Sequence, residues 1–207
     1  MLQSNWCWAA TTQMVMSYYG VYASQCDIAN KYIGVEYCCS SPYSCNETGF
    51  LALGLYDFDY FSNWWFNLDW SVVKGEIDHN RPFIFGWWFP QWIVNGYGHF
   101  MVARGYKIEN NINSIYVNNS LGKNNPAGPS FSPFFPPSPY WITYKDYGSG
   151  YIKGLGSYTH YMDYYGIRYM GTTYQRHLPP RYGQSQMPIP KSSPTPTPTP
   201  TPTPIYN

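Results

Sequence analysis

The chain has 207 residues, of which 11% are charged and 21% aromatic, with 12 basic against 11 acidic residues and a formal net charge of +1. A balanced charge with no run of either sign argues against an electrostatic grip on nucleic acid or an anionic membrane. The longest apolar run, Phe83 to Val94, is broken by Gly86, Pro90 and Gln91 and is too short to span a bilayer.

The first predicted element is a helix that starts near Cys7 and stops at Gly20. Ala10, Met14 and Tyr18 recur at helical spacing, and Ser4 and Asn5 are N-cap residue types. A thiol at a helix start faces the positive end of the dipole and free N–H groups, and both favour the thiolate. Cys7 is therefore a candidate nucleophile, set against a buried structural cysteine. A second helix is expected from Cys26 to Ile33, followed by a cysteine-rich loop from Gly34 to Thr48. The aromatic stretch from Gly49 to Trp70 carries no clear period, although Gly49 to Asp57 could be helical. Ser71 to His79 reads as a helix capped by Ser71, with Val72, Val73, Glu76 and Ile77 on one face.

The period then changes. Pro82 to Trp88, His99 to Tyr106 and Asn113 to Asn118 read as strands, with a hairpin turn at Glu109-Asn110-Asn111. Asn124 to Pro139 reads as an irregular loop, and Tyr140 to Tyr147 and Tyr151 to Tyr174 as further strand or helix. The expected class is α+β, helices first and an antiparallel sheet after them, in a domain over 1–177. Residues 178–207 form a Pro/Thr-rich tail. Its Thr-Pro alternation from Thr195 to Pro204 suits extended polyproline II, reaching roughly 40 Å at about 3.1 Å per residue. Such a tether suits a further C-terminal domain or attachment to a surface.

Four of the five cysteines, Cys26, Cys38, Cys39 and Cys45, cluster within twenty residues. A vicinal Cys38–Cys39 bond would be strained, which leaves two plausible pairings. Zinc competes as a reading, but paired CxxC spacing is missing. Two disulfides imply an oxidising compartment. With no basic or apolar leader before Cys7, the expectation is a secreted protein whose N-terminus is truncated here.

A nucleophilic cysteine needs a base, and the base needs an orienting group. Of His79, His99, His160 and His177, His99 stands out because it follows Gly98 and opens a strand. The next strand ends in Asn118-Asn119-Ser120, and a hairpin brings that end back beside His99. An Asn there can fix the imidazole tautomer.

The segments Gln-Ser-Asn-Trp-Cys-Trp-Ala-Ala, Gly-His-Phe-Met-Val-Ala-Arg-Gly-Tyr and Ile-Tyr-Val-Asn-Asn-Ser resemble papain-like cysteine peptidases. They are most similar to the compact bacterial branch of secreted enzymes and plant-pathogen effector proteases, and more distantly to the double-glycine leader peptidases. The resemblance implies a papain-like fold and peptide-bond hydrolysis without a cofactor or metal, acting on a peptide or protein substrate. It implies Cys7 as nucleophile, His99 as general base and Asn119 as the residue that orients it, with Asn118 as the fallback. It places an oxyanion glutamine six residues before the cysteine. That position is Met1 here, and Gln3 lies only four before, so Gln3 is the substitute or the glutamine precedes this chain. The positions of Cys26 and Cys38-Cys39 also resemble the secreted branch, in favour of disulfides. Two rival functions remain: an amidase or transferase on cell-wall peptides with the same triad, and a papain-like binding module without catalysis.

Overall fold

The computed structural model describes residues 2–91, 97–121 and 138–171. The chain divides into a unit Met1–His177 and a unit Leu178–Asn207. The Pro/Thr tail, His177, position 1 and most of the expected loop from Asn124 to Pro139 lie outside the described residues.

Helix α1 runs Cys7–Tyr18 and α2 Gln25–Ile33. Ser24 caps α2 in a reciprocal box with Asp27, and Gly34 closes it at φ 81°, a conformation open to glycine without a Cβ penalty. Between α2 and the sheet, Gly49–Asp57 is not a helix. It holds one 3₁₀ turn, Leu53–Tyr56, ended by Asp57 at φ 60°. A strand absent from the sequence reading follows, β1 at Phe58–Trp64. Helix α3 spans Trp70–Asp78, and its N-cap is Asp69 without a side-chain hydrogen bond, not Ser71. Then come β2 (Phe83–Phe89), β3 (Tyr97–Glu109) and β4 (Ile112–Asn119). They are followed by β5 (Tyr140–Thr143), the short α4 (Tyr144–Gly148), β6 (Ser149–Ile152) and β7 (Gly156–Tyr169).

These strands make one antiparallel sheet in the order β1-β7-β2-β3-β4-β5, with β6 on β7. The β3–β4 hairpin turns at Asn110 and Asn111, both at positive φ (50° and 60°). Two such residues give a turn whose twist matches that of the flanking strands.

Alternation along the strands divides the core in two. Ile84, Phe100, Val102, Met162 and Tyr164 face α1, α2 and the disulfide loop. Phe83, Phe85, Trp87, Met101 and Ile115 lie on the other face with Val73 of α3 and Tyr147 of α4. The helices thus cover both faces of the sheet. A buried Glu76 links α3 to β7: it accepts both Arg81 Nε (3.0 Å) and Nη2 (2.8 Å) and the Gly166 N–H (2.8 Å). No helix among the described residues is long and apolar enough to cross a membrane.

Candidate active site

Cys7 is the first residue of α1, and its position follows from what holds the turn before it. Ser4 and Asn5 do not cap the helix; the N-cap position is Trp6, with no side-chain hydrogen bond. Their polar groups pair instead with Asn46, which accepts the Asn5 N–H at 2.9 Å and donates to Ser4 Oγ at 2.7 Å. Asn5 Nδ2 donates back to the Asn46 carbonyl at 2.8 Å. Trp6 Nε1 donates to the Cys45 carbonyl (2.6 Å) and Trp8 Nε1 to the Glu47 carbonyl (3.1 Å).

The loop that receives these bonds is itself stapled. Cys26 pairs with Cys39 and Cys38 with Cys45, at Cα separations of 4.9 and 5.5 Å. This is one of the two pairings the sequence left open. All four sulfurs are thus paired, two by two. Cys7 is the one free cysteine. The disulfide loop therefore clamps the turn that carries it.

Across from Cys7 lies the start of β3. The Cys7 Sγ is 4.0 Å from the Gly98 carbonyl oxygen, and Gly98 immediately precedes His99. His99 Nε2 lies 2.7 Å from Asn119 Oδ1. The hairpin register brings the two together: Met101 stands opposite Asn119, so His99 and Asn119 are diagonal neighbours on one face. Asn118 is on the other face and accepts from Arg104 Nε at 3.0 Å, so it does not reach His99.

Two further bonds fix which way the Asn119 amide points. The Leu121 N–H donates to Oδ1 at 2.9 Å, and Nδ2 donates to the Tyr140 hydroxyl at 3.1 Å. Oδ1 is therefore an acceptor, and His99 Nε2 must carry the proton it shares. The basic lone pair of neutral His99 is then on Nδ1. Tyr140 was not singled out in the sequence, although its place at the head of a strand pairing with β4 (Val117 opposite Tyr140) is what delivers it.

The electrostatics correct one expectation. The backbone groups of Phe100, Trp8 and Cys7 do favour the thiolate, but burial outweighs them and pushes the Cys7 thiol up to about 11. Burial likewise lowers His99 to about 4, against the raising effect of Asn119. Burial thus favours the uncharged form of each group. Helix-start effects are local and legible in a sequence; desolvation depends on the sheet and loop that close over the site.

The sequence matches the model of the Peptidase_C39 like family over residues 1–149. The chain belongs to that family. It is thus a member of a cysteine peptidase family, with an α+β fold compatible with a papain-like peptidase. No curated protein matches the sequence.

In this family member the remaining predicted residues fall as follows. Gln3 joins the Cys7 turn through its backbone, its carbonyl accepting the Trp6 N–H at 3.2 Å. His79 ends α3 and contacts the Gly75 carbonyl through Nδ1 at 2.7 Å, exposed. His160 is buried on β7, 2.9 Å from Asp163 Oδ2.

Proposed function

We propose that this cysteine peptidase hydrolyses peptide bonds through a thioester acyl-enzyme, with Cys7 as nucleophile and His99 as base oriented by Asn119. The observation that carries the reading is the His99–Asn119 hydrogen bond beside the start of the Cys7 helix. Its tautomer leaves Nδ1 as the proton acceptor.

Because burial favours the uncharged form of each group, proton transfer accompanies attack. His99 Nδ1 takes the Cys7 proton as Sγ bonds to the substrate carbonyl carbon. The oxyanion is held by the Cys7 backbone N–H and a glutamine amide, for which Gln3 is the candidate in this chain. His99 then protonates the leaving amine as the C–N bond breaks. Water, deprotonated by His99, attacks the thioester, releasing the acid and returning the proton to Sγ. No metal or cofactor enters any step.

The two disulfides fit an oxidising compartment, and we propose that the protein works outside the cell, with the Pro/Thr-rich segment as a tether.

The test is acid-quench mass spectrometry during hydrolysis of unfolded casein. An acyl adduct on Cys7, absent in Cys7→Ala together with all cleavage, is the expected result. Turnover of cell-wall peptides but not casein redirects the reading to an amidase. Casein cleavage that survives Cys7→Ala refutes it.

A further inference from the structure

One surface outside the triad shares an edge with it. Trp88 on β2 stands opposite Gly98, and a Cβ built on Gly98 would lie 3.8 Å from the Trp88 ring. The same Gly98 presents its carbonyl to Cys7 Sγ. From Trp88 the rings continue without a break. Its centroid is 5.6 Å from that of Tyr161, which is 5.5 Å from Trp64 and 5.1 Å from Trp65. Trp64 in turn is 5.8 Å from Phe50.

The sheet is shaped to make this shelf. The β2–β7 register shifts between Gly86 and Trp87, opposite Tyr161. Gly86 has no side chain where a Cβ would sit 2.9 Å from the Phe100 ring and 3.6 Å from the Tyr161 ring. Both rings therefore lie over the strand.

The outer part of the shelf is open to solvent: Phe50 is 45% exposed, Trp64 40%, Trp65 59% and Phe66 73%. Adjacent exposed rings of this kind mark an interaction site rather than scattered surface residues. Trp65 also sits at φ 68°, a left-handed conformation that is an outlier for a bulky residue. It is held there by its N–H to the Tyr161 carbonyl (2.9 Å), while Asn63 Nδ2 donates to the Phe66 carbonyl (2.8 Å). These bonds keep the Trp65 ring against Tyr161.

We infer that this shelf, Trp88–Tyr161–Trp64–Trp65, is a substrate subsite that takes apolar, chiefly aromatic side chains of an extended peptide flanking the bond presented to Cys7. The inference rests on the peptidase reading for its occupant. Between Asp59 and Asp69, residues 60–68 carry no charge, so this run offers an acidic peptide no cation. A sugar platform needs hydrogen-bonding groups around the rings, and the Asn63 amide N–H is already engaged with the Phe66 carbonyl.

The test separates binding from chemistry. In the full chain carrying Cys7→Ala, fluorescence polarisation compares a fluorescein-labelled peptide of about nine residues rich in Phe with its all-Ala counterpart. The Phe peptide should bind about tenfold tighter or more, since aromatic contacts add affinity beyond their buried area. Trp64→Ala and the milder Trp65→Ser, each checked by its unfolding transition, should remove most of that preference. Equal affinity for the two peptides, or a preference that survives both variants, overturns the inference. So does tighter binding of N-acetylglucosamine oligomers, or self-association in solution that Trp64→Ala dissolves. Alkylation of wild-type Cys7 by iodoacetamide, which carries no ring, tests the reactivity of the nucleophile apart from the shelf.

Discussion

Two buried histidines stand on either side of one tryptophan. Trp87 on β2 faces His99 on β3 and His160 on β7, so the three share a row of the sheet. By pairwise electrostatics His160 has the stronger partner: Asp163, which also accepts the Tyr147 hydroxyl at 2.6 Å. His99 shares its Nε2 proton with the neutral Asn119. Yet His99 lies where the sheet meets the start of α1 and its thiol, whereas His160 lies among Tyr147, Trp87 and Tyr158. Burial pushes the Asp163 carboxyl and the Tyr147 hydroxyl up, the signature of a group enclosed for packing. The contrast teaches that a good acid–base pair is not a site. What separates a candidate catalytic histidine from a structural one is a nucleophile at hand.

The sharpest way to break this contrast is to remove each histidine in turn. Cys7→Ala and His99→Ala should each lower kcat/KM by about 10⁴-fold or more in a folded protein, as expected of members of a catalytic unit. His160→Gln should reduce activity only through the folded fraction. A His160→Gln protein that keeps its thermal transition but is as inactive as His99→Ala would erase the distinction.

Asp163 makes the reverse prediction. Asp163→Ala strands His160 and the Tyr147 hydroxyl in the core. Breaking a buried pair by removing one partner costs about 3–5 kcal/mol. The urea midpoint should fall accordingly, with KM unchanged in the remaining folded enzyme.

Acid should expose the other member of the contrast. His99 titrates near 4 when folded and near 6.5 when exposed. Between these values the unfolded chain binds a proton that the folded protein does not. Stability therefore falls as the pH drops from about 6.5 toward 4, by at most about 3 kcal/mol. His99→Gln should flatten that part of the urea-midpoint profile. An unchanged slope in the variant would assign the acid sensitivity elsewhere.

The strand hairpin of the candidate site was legible because it lies on regular elements. The Asn110-Asn111 turn and the apolar runs around it set the β3–β4 hairpin, and the hairpin brings Asn119 to His99. Other parts were not, for identifiable reasons. The pattern of β1, Phe-Asp-Tyr-Phe-Ser-Asn-Trp, shows no inside–outside alternation because its aromatics Phe61 and Trp64 remain exposed on an edge strand. Ser4 and Asn5 have cap chemistry, but a partner some forty residues on competes for it, and a one-dimensional pattern does not show Asn46 arriving. The disulfide pairing was open between two solutions because sequence separation does not determine which sulfurs meet. The thiol was expected to ionise easily because the helix start is local, whereas the burial that opposes it comes from β3 and the disulfide loop.

The smallest effect concerns how firmly Asn119 is held. Asn119→Ala removes the acceptor for His99 Nε2 and frees the ring to turn, and displacement of a positioned group can lower the rate about 10²-fold. Tyr140→Phe is subtler. It deletes the acceptor for Asn119 Nδ2 but leaves the Leu121 N–H on Oδ1, so the amide keeps one of its two anchors. Losing one neutral hydrogen bond is worth about 1 kcal/mol. We therefore expect kcat to fall about fivefold with KM unchanged. If the amide instead reverses, Nδ2 would face the imidazole and favour the tautomer with its lone pair on Nε2, so that Nδ1 carries the proton and is no longer the acceptor. The loss would then approach that of Asn119→Ala, and Tyr140 would rank with Asn119 in positioning the base. A Tyr140→Phe enzyme with unaltered kcat would instead show that Leu121 alone sets the amide.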